Sequence, residues 1–416
     1  MRSLADWLQQ QQQSHPSAID LTLERVREVA RRLDLLTPAY RVITVGGTNG
    51  KGSTVAYLDS LLRAAGQSTG RFTSPHLIRY NERICVDGHE ADDARIIEAF
   101  ERIEAARGEI TLTFFEYNTL AALECFRRAA VDTAVLEVGL GGRLDATNVI
   151  DSDVAIVCSI GLDHVDWLGS TLGQIGREKA GIFRSARPAV LGAPDLPDSV
   201  HETIQEIGAF PVVRDRDFRA HRHNNGWDFE CNALRLRNLP LPALAGPQQV
   251  DNAATALAAL AVGDVGIELT HEVVSRALRD TRLPGRFQII PGEVEWVLDV
   301  AHNVPAAQVL ARNLATLPAR RTIAVFGILG DKDIGGILAT LATRIDAWIP
   351  VSLSGPRSVS AQSLAARLPQ AASIVELATD VAAGCRAARD AAAPGDRIVV
   401  FGSFLTVGPA LEFLGI

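Results

Sequence analysis

Apolar and polar positions alternate along most of this chain in a rhythm that predicts helices and strands in turn. The first 40 residues have apolar positions at helical spacing, with a glutamine run at 9–13 ending a first helix and Thr22 capping a second. From Arg41 onward, short apolar runs that end in glycine or polar loops precede helical segments. This alternation predicts βαβ units and a largely parallel sheet, with functional residues just past the carboxyl ends of the strands.

The pattern changes between about Ala189 and Leu244, where short mixed stretches with many polar breaks predict an antiparallel excursion. Upstream, "ITLTFFEYNTLAALECFRRA" predicts a strand end, a turn and a helix. "TRLPGRFQII" has the Pro-Gly pair typical of a boundary. Five strand candidates follow it: "EWVLDVAHN", "RTIAVFGIL", "IDAWIPVSL", "ASIVEL" and "DRIVVFGSF". We therefore expect two α/β domains, residues 1–283 and 284–416, the second smaller than the first.

Composition narrows the function classes. The chain is 47% hydrophobic and 22% charged, a balance typical of globular proteins. Its net charge of -8 argues against an extended nucleic-acid surface. The five cysteines are scattered without metal-like spacing, which indicates buried thiols in a reducing compartment. No secretory core or bilayer-spanning apolar run is found, so we expect a cytoplasmic protein that does not interact with membranes.

The stretch "VITVGGTNGKGST" combines a buried strand, a glycine loop and a helix start. The phosphate-loop pattern is a glycine, four residues and then Gly-Lys-Ser/Thr, and only Gly50 and Lys51 fit it here. The glycines still let backbone N–H groups turn toward an anion at the helix N-terminus, and Lys51 supplies a point charge. The alternative is an ordinary turn with a surface lysine. The order strand, loop, helix favours nucleotide binding, with a P-loop parallel-sheet ATPase domain first.

Several loops in one order resemble a known family: "GGTNGKGST", "FTSPHL", "LEVGLGGRLDATN", "GLDHVDWLG", "REKAGIF", "LPGRFQ" and "DVAHN". They resemble the Mur-ligase superfamily of ATP-dependent amide-forming enzymes, and within it the bifunctional folate-type ligases. The resemblance covers nearly the whole chain and implies a second, Rossmann-like glutamate-ligase domain. It also implies a set of ATP-binding residues: Asn49, Gly50, Lys51, Gly52, Ser53, Asn252, Arg286, Asp299 and His302. Taken alone, Asn252 reads as a helix cap and Arg286 as a surface residue.

The resemblance implies that Ser74, Glu137 and His164 bind magnesium, each at a predicted strand end. Without it, Glu137 reads as a paired buried acid and His164 as a satisfied loop histidine, and a histidine is an unusual magnesium ligand. The same resemblance implies a carbamate on Lys179, formed from carbon dioxide on the neutral amine. The alternative for Lys179 is a solvated lysine near the start of a helix. Lys51, Lys179 and His164 are the catalytic candidates.

Two further segments resemble those that hold the pterin-bearing acid in folate-type ligases. The candidates are Ile19, Asp20, Leu21, Thr113, Phe114, Phe115, Glu116, Leu144, Asp145 and Ala146. Thr22 stands where relatives usually have glycine, and this difference counts against the expected contact with dihydropteroate. For the two phenylalanines, packing in the core is the alternative.

The resemblance implies an enzyme that adds L-glutamate to 7,8-dihydropteroate and further glutamates to reduced folates, through an acyl phosphate made with ATP. It implies Mg²⁺ at two sites, a monovalent cation as a further candidate cofactor, and a monomer. Other readings are a ligase with one of these activities, a ligase for another acid such as a cell-wall precursor, and a non-catalytic ATP-binding regulator.

Overall fold

The computed structural model describes residues 2–17, 19–232, 234–355 and 357–416. The chain divides into two compact units. The first comprises Met1–Ala243 and Val250–Thr281, and the second comprises Leu244–Gln249 and Arg282–Ile416. The predicted fold class, a parallel-sheet α/β unit followed by a smaller α/β unit, is confirmed. The short segment Leu244–Gln249 groups with the second unit although it precedes the boundary predicted from the sequence.

The first unit is built on an eight-stranded sheet with the order β4-β3-β2-β5-β1-β6-β7-β8. Its pairs are parallel except for β2–β3 and β3–β4. The strands are β1 (Arg41–Gly46), β2 (Thr69–Phe72), β3 (Ile84–Val86), β4 (His89–Glu90), β5 (Thr133–Glu137), β6 (Val154–Val157), β7 (Pro188–Leu191) and β8 (Phe210–Val213). Strands β1, β5 and β6 are adjacent, so the loops that follow them meet at one edge of the sheet.

Helices of the first unit lie between these strands and after them. They are α1 (Leu4–Gln12), α2 (Glu24–Arg32), α3 (Lys51–Ala64), α4 (Asp93–Arg107), α5 (Phe114–Ala129), α6 (Val165–Leu168), α7 (Leu172–Ala180), α8 (Asp198–Ile207), α9 (Gln248–Val262) and α10 (His271–Asp280). Two short 3₁₀ helices span Tyr80–Arg83 and Ala146–Val149. One core cluster packs helices α1, α2, α4 and α5 against the sheet, and another joins β6 and β7 to α7 and α8.

Two local predictions for this unit need correction. The antiparallel excursion begins later than predicted, because β7 and β8 continue the parallel sheet. The excursion itself is a three-stranded antiparallel sheet of β9 (Phe218–His223), β10 (Gly226–Cys231) and β11 (Leu234–Leu239). The strand end predicted at residues 110–113 is wrong. No described strand pairs with this segment, and α5 begins directly after it.

The predicted cap of the second helix is also wrong. Leu23 occupies the N-cap position of α2, without a side-chain hydrogen bond, so Thr22 lies outside the helix. The glutamine run does end α1, at Gln12. Elsewhere the helix starts follow ordinary capping chemistry: Thr113 and Glu116 form a capping box at α5, and Thr171 and Gln174 form one at α7.

The second unit contains a five-stranded sheet with the order β12-β13-β16-β14-β15, parallel except for the β12–β13 pair. Its strands are β12 (Gln288–Ile290), β13 (Glu295–Asp299), β14 (Thr322–Phe326), β15 (Ala347–Pro350) and β16 (Arg397–Phe401). Its helices are α11 (Val304–Ala315), α12 (Ile334–Leu341), α13 (Ala361–Ala365), α14 (Val381–Ala391) and α15 (Phe404–Leu414). The strand predicted at "ASIVEL" is wrong, since Ile374 makes only an isolated bridge to Trp348.

Candidate active site

The glycine loop between β1 and α3 is shaped by two glycines with positive φ, Gly47 at 137° and Gly50 at 89°. Gly50 is the N-cap of α3 in the left-handed region. A Cβ on Gly50 would lie 2.9 Å from Oδ1 of Asn252. Glycine is therefore required here by both the backbone and the close approach of Asn252. The cap role considered for Asn252 is wrong, because α9 already begins at Gln248.

Residues after β6 brace this loop. The Thr48 hydroxyl donates to the carbonyl of Gly161 at 3.1 Å and accepts from the N–H of Gly161 at 3.0 Å. The N–H of Asn49 donates to Oγ of Ser159 at 3.0 Å, and that hydroxyl donates to the Asn49 carbonyl at 3.0 Å. These contacts fix the loop before any ligand binds. Neither Ser159 nor Gly161 was predicted, because small residues in loops carry no distinctive sequence signal.

Lys51 is the first residue of α3 and is half-buried. Its Nζ donates to the Gly47 carbonyl at 3.1 Å and to the Thr48 carbonyl at 3.3 Å. The side chain thus folds back over the loop instead of extending into solvent, which removes the surface-lysine alternative. The cation lies beside the N-terminal N–H groups of α3, and both attract a phosphate.

Lys179 lies in the last turn of α7, is only 5% exposed, and donates from Nζ to the Gly47 carbonyl at 3.1 Å. The alternative of a solvated lysine near a helix start is therefore wrong on both counts. The pKa of Lys179 is lowered to about 7, first by burial and then by repulsion from Lys51, against the attraction of Asp163 and Asp145. A large fraction of this amine is neutral at pH 7, and the neutral form is the one that attacks the carbon of carbon dioxide.

Ser74 and Glu137 are brought together, although they are 63 residues apart in the chain. The N–H of Ser74 donates to Oε2 of Glu137 at 3.3 Å, and Glu137, the last residue of β5, is 5% exposed. The described residues hold no cluster of three His, Cys, Asp or Glu side chains that could bind a metal unaided. The Glu137 carboxylate, to which Ser74 is hydrogen-bonded through its backbone N–H, still suits Mg²⁺, which usually combines one or two carboxylates with water and substrate phosphate oxygens.

His164 lies on the loop after β6 and is the N-cap of α6, with a positive φ of 52°. Its side chain is about one-third exposed. Its backbone N–H donates to Oδ1 of Asp163 at 2.9 Å. Asp163, whose side chain is 8% exposed, was not predicted although it precedes His164 directly. Its field reaches Lys179, where it opposes the lowering of the lysine pKa.

Arg25 connects the two segments predicted to hold the acceptor acid. Its Nη1 donates to Oδ2 of Asp20 at 2.8 Å, and its Nη2 donates to Oε1 of Glu116 at 3.3 Å. Nε2 of His15 lies 3.5 Å from the same oxygen of Asp20. Glu116 is 2% exposed, and burial raises its pKa against the N–H of Thr113 and the charge of Arg25. Neither Arg25 nor His15 was predicted, because each looks like an ordinary polar residue of a helical segment.

The two aromatic candidates are half-buried and make packing contacts. The Phe115 ring lies 5.8 Å from that of Phe72, and a Cβ on Gly139 would lie 2.6 Å from it. The Phe114 ring meets that of Tyr80 edge-on at 6.3 Å. These contacts fit the packing alternative. Ile19 and Leu21 lie in the irregular segment before α2, and Ile19 is exposed.

Asp145 acts on its own loop. Its carboxylate accepts from the N–H of Leu140 at 2.8 Å and from the N–H and hydroxyl of Thr147 at 3.0 and 2.7 Å. Burial raises its pKa, and these hydrogen bonds oppose the rise. The side chain therefore shapes the loop that carries Leu144, which is half-buried, and Ala146, which is buried.

The second unit carries a cluster of its own at the carboxyl end of β13. The Asp299 carboxylate accepts from the N–H groups of Phe287 and Ala301, both at 2.8 Å. Burial raises the pKa of Asp299 to about 6, although the Arg286 guanidinium lowers it. That guanidinium stacks over the Phe404 ring at 4.9 Å. Arg286 is therefore held in place and is not the loose surface residue of the alternative reading.

His302 and Asn303 follow this strand. Nδ1 of His302 donates to the Val300 carbonyl at 2.8 Å, because a carbonyl oxygen can only accept. The Asn303 side chain accepts from the N–H of Ala306 at 2.9 Å as the N-cap of α11, and Pro305 lies in the first turn of that helix. Helix α11 therefore begins at Val304, with Pro305 as its second residue.

Two family models match the chain: the Mur ligase middle domain over residues 45–260, and the Mur ligase, glutamate ligase domain over residues 285–404. A dihydrofolate synthase/folylpolyglutamate synthase of Escherichia coli (strain K12) is 45% identical over 412 residues, covering 99% of this chain and 95% of that protein. The chain belongs to the dihydrofolate synthase/folylpolyglutamate synthase family of Mur ligases. A member of this family from Mycobacterium tuberculosis is 32% identical and covers 95% of the chain.

Solved structures of this Mur ligase family have the same fold. The chain matches E. coli FolC in complex with DHPP and ADP with a TM-score of 0.95 at 45% identity, covering 100% of this chain and 98% of that one. A bifunctional folylpolyglutamate synthase/dihydrofolate synthase with Mn, AMPPNP and L-glutamate bound matches with a TM-score of 0.93 at 45% identity, covering 100% and 99%. Within the described residues, no helix has the length and apolar character that crossing a membrane requires.

Proposed function

We propose that this protein is an ATP-dependent ligase that adds L-glutamate to 7,8-dihydropteroate and further glutamates to reduced folates. The observation that carries the proposal is the pair of lysines on the Gly47 carbonyl, beside the start of α3 and at the edge of the sheet where β5 presents Glu137. The names of relatives that span the whole chain, and the nucleotide and substrate complexes of two of them, support it.

In this proposal the acceptor carboxylate attacks the γ-phosphorus of ATP, and ADP leaves. The product is an acyl phosphate, which the amine of L-glutamate attacks at carbon to give an amide and inorganic phosphate. Lys51 and the N–H groups of Gly52 and Ser53 bind the phosphates, together with Asn49 and Gly50. Asn252, Arg286, Asp299 and His302 contact the nucleotide.

Ser74, Glu137 and His164 would hold Mg²⁺, for which the Glu137 carboxylate, beside the backbone N–H of Ser74, is a suitable donor. When bound, the metal offsets negative charge on the phosphates. A second Mg²⁺ and a monovalent cation remain part of the proposal. Lys179 is carbamylated in this account, because its buried amine is partly neutral near pH 7. Intact-mass analysis in bicarbonate buffer, before and after acid treatment, tests this modification.

The pterin-bearing acid would lie along Ile19, Asp20, Leu21, Thr113, Phe114, Phe115, Glu116, Leu144, Asp145 and Ala146. The Arg25 bridge between Asp20 and Glu116 supports this placement, since it joins the two segments at one location. A monomer, a cytoplasmic location and a functional division into residues 1–283 and 284–416 complete the proposal.

The test is phosphate release from ATP and Mg²⁺ with L-glutamate, comparing 7,8-dihydropteroate, a reduced folate, a cell-wall precursor and no acceptor. We expect release with both pteridine acids and products one glutamate heavier. Phosphate release with the reduced folate alone would mean that the enzyme has only the second activity. Phosphate release with the cell-wall precursor alone would mean that its substrate is that precursor and not a pteridine acid. A chain that binds ATP and releases no phosphate with any acceptor would be a regulator, and the ligase proposal would be wrong.

A further inference from the structure

Arg83 is a buried cation, and the negative charges of Glu82 and Glu137 act on it from beyond salt-bridge distance. It ends the 3₁₀ helix at Tyr80–Arg83, is 7% exposed, and forms no salt bridge within the described parts of the chain. The neighbouring carboxylate of Glu82 accepts instead from the backbone N–H groups of residues 77, 78 and 79, each at 2.7 Å. By contrast, Arg397, which is 2% exposed, is paired with Glu295 at 2.6 Å.

The guanidinium of Arg83 is nevertheless held in a defined orientation. Its Nε donates to Nδ1 of His76 at 2.8 Å. The rings of Tyr80 and Phe114 lie 5.8 and 5.5 Å from its central carbon. The Tyr80 hydroxyl donates to Oδ1 of Asn118 at 2.7 Å, which fixes that ring in turn. Aromatic faces and one neutral acceptor therefore position the charge without neutralising it.

The two terminal amino groups of Arg83 have no acceptor among the described residues. Neither Nη1 nor Nη2 belongs to the fully buried unpartnered side-chain atoms, so both retain accessible surface. A buried cation without a partner is costly, and a planar pair of N–H groups matches the two oxygens of a carboxylate. The side chain thus presents a preformed site for a carboxylate.

Arg83 also lies between the two ends of the candidate site. The backbone carbonyl of Arg83 accepts from the N–H of Thr73 at 3.0 Å. Ser74, which follows Thr73 in the chain, is hydrogen-bonded to Glu137. On its other side, Phe114 belongs to the segment assigned to the acceptor acid. A carboxylate bound to Arg83 would therefore lie between the acceptor-binding and phosphate-binding groups.

We propose that Arg83 binds the reacting carboxylate of the acceptor acid and holds it for transfer of the phosphoryl group. This assignment rests on the proposed function. Dihydropteroate carries this carboxylate on its aromatic ring, and reduced folates carry it on their terminal glutamate, so one arginine serves both acceptors. Arg83 contacts the substrate directly in this account.

The test measures equilibrium binding of 7,8-dihydropteroate and of its carboxamide, each with Mg²⁺ and a non-hydrolysable ATP analogue. The wild type is compared with Arg83→Gln, Arg83→Lys and the control Arg79→Gln. Arg79 precedes the same 3₁₀ helix, but its side chain is 63% exposed and pairs with Glu90 at 3.5 Å. Binding of the ATP analogue and the melting temperature show that each variant is folded.

We expect the wild type and Arg79→Gln to bind the acid on the order of ten- to a hundredfold more tightly than the carboxamide. Arg83→Gln should lose this preference, and Arg83→Lys should keep part of it. A preference for the acid retained in Arg83→Gln would overturn the assignment. The assignment would also be wrong if Arg83→Gln had an unchanged KM for the acceptor and a raised KM for L-glutamate. A wild type that binds neither acid nor amide would overturn the proposed function, and the assignment with it.

Discussion

Lys51 and Lys179 donate to one carbonyl oxygen, that of Gly47, at 3.1 Å each. One lysine begins a helix and the other ends one, and 128 residues separate them in the chain. Two ammonium groups on one acceptor repel each other, and the more buried of the two has the lowered pKa. Burial is the larger cause of this lowered pKa, and the charge of Lys51 adds to it.

The lowered pKa of Lys179 predicts a pH-dependent stability. Between the folded pKa of about 7 and the ordinary value of 10.5, the unfolded chain binds more protons at this site than the folded chain. The free energy of unfolding should therefore rise with pH in this window, by at most about 1.4 kcal/mol per pH unit. Below pH 7 the penalty for the buried cation is fully present.

Lys179→Met should remove this contribution. Urea unfolding of the wild type and the variant at pH 7, 8 and 9, in bicarbonate-free buffer, measures it. We expect the wild type to gain stability relative to Lys179→Met as the pH rises. Parallel stability curves over this range would mean that the amine titrates normally, and the neutral-amine argument for carbamylation would fail.

Gly50→Ala should impair nucleotide binding, and the chain offers a matched control. Gly50 and Gly66, at the two ends of α3, have φ values of 89° and 91°. A Cβ on Gly50 would lie 2.9 Å from Oδ1 of Asn252, whereas a Cβ on Gly66 would have no atom within 4 Å. Both substitutions should cost about 1–2 kcal/mol of stability through the backbone alone.

Only Gly50→Ala should also lower affinity for a non-hydrolysable ATP analogue, by about tenfold or more, because Asn252 and the loop must move apart. Calorimetric titration of both variants separates the two effects. Equal affinities for Gly50→Ala and Gly66→Ala would show that the contact with Asn252 has no part in nucleotide binding.

Arg25→Gln should weaken binding of the acceptor acid without affecting ATP. The substitution removes the shared partner of Asp20 and Glu116 and leaves the buried Glu116 carboxylate without a counter-ion, at a cost of about 1–3 kcal/mol in stability. Arg31→Gln on the same helix is the control, because Arg31 is exposed and pairs with Glu28 at 2.9 Å.

Steady-state kinetics should give an acceptor KM raised about tenfold in Arg25→Gln, with the KM for ATP unchanged. The double variant Arg25→Gln/Glu116→Gln should recover stability, because the unpaired charge is gone, but not acceptor affinity. An unchanged acceptor KM in Arg25→Gln would place the acid elsewhere.

The sequence predicts those parts of the fold that are set by local patterns. The strand, loop and helix around Lys51, and the strands ending at Glu137 and Val157, have patterns that extend over several residues. The strand predicted at "ASIVEL" is wrong because a strand needs continuous pairing with a neighbouring strand, and this segment has none among the described residues. Ile374, Val375 and Leu377 remain about 40% exposed, and only isolated bridges reach this segment.

The candidate site divides in a similar way. Residues with family motifs, such as Lys51 and Glu137, can be found in the sequence, but their partners cannot. Arg25 meets Glu116 across 91 positions, and Arg83 is notable only because it is buried without a salt bridge among the described residues. Pairing and burial of a charge are properties of the tertiary structure, so no local pattern reports them.

The most direct test of the account follows the oxygen atoms of the acceptor acid. 7,8-Dihydropteroate labelled with oxygen-18 in its carboxylate is incubated with ATP, Mg²⁺ and L-glutamate, and the products are analysed by mass spectrometry. Ligation through an acyl phosphate predicts dihydropteroate carrying one added glutamate, and released phosphate with a single labelled oxygen. Phosphate without label, or release of phosphate with no glutamate-containing product, would contradict the account.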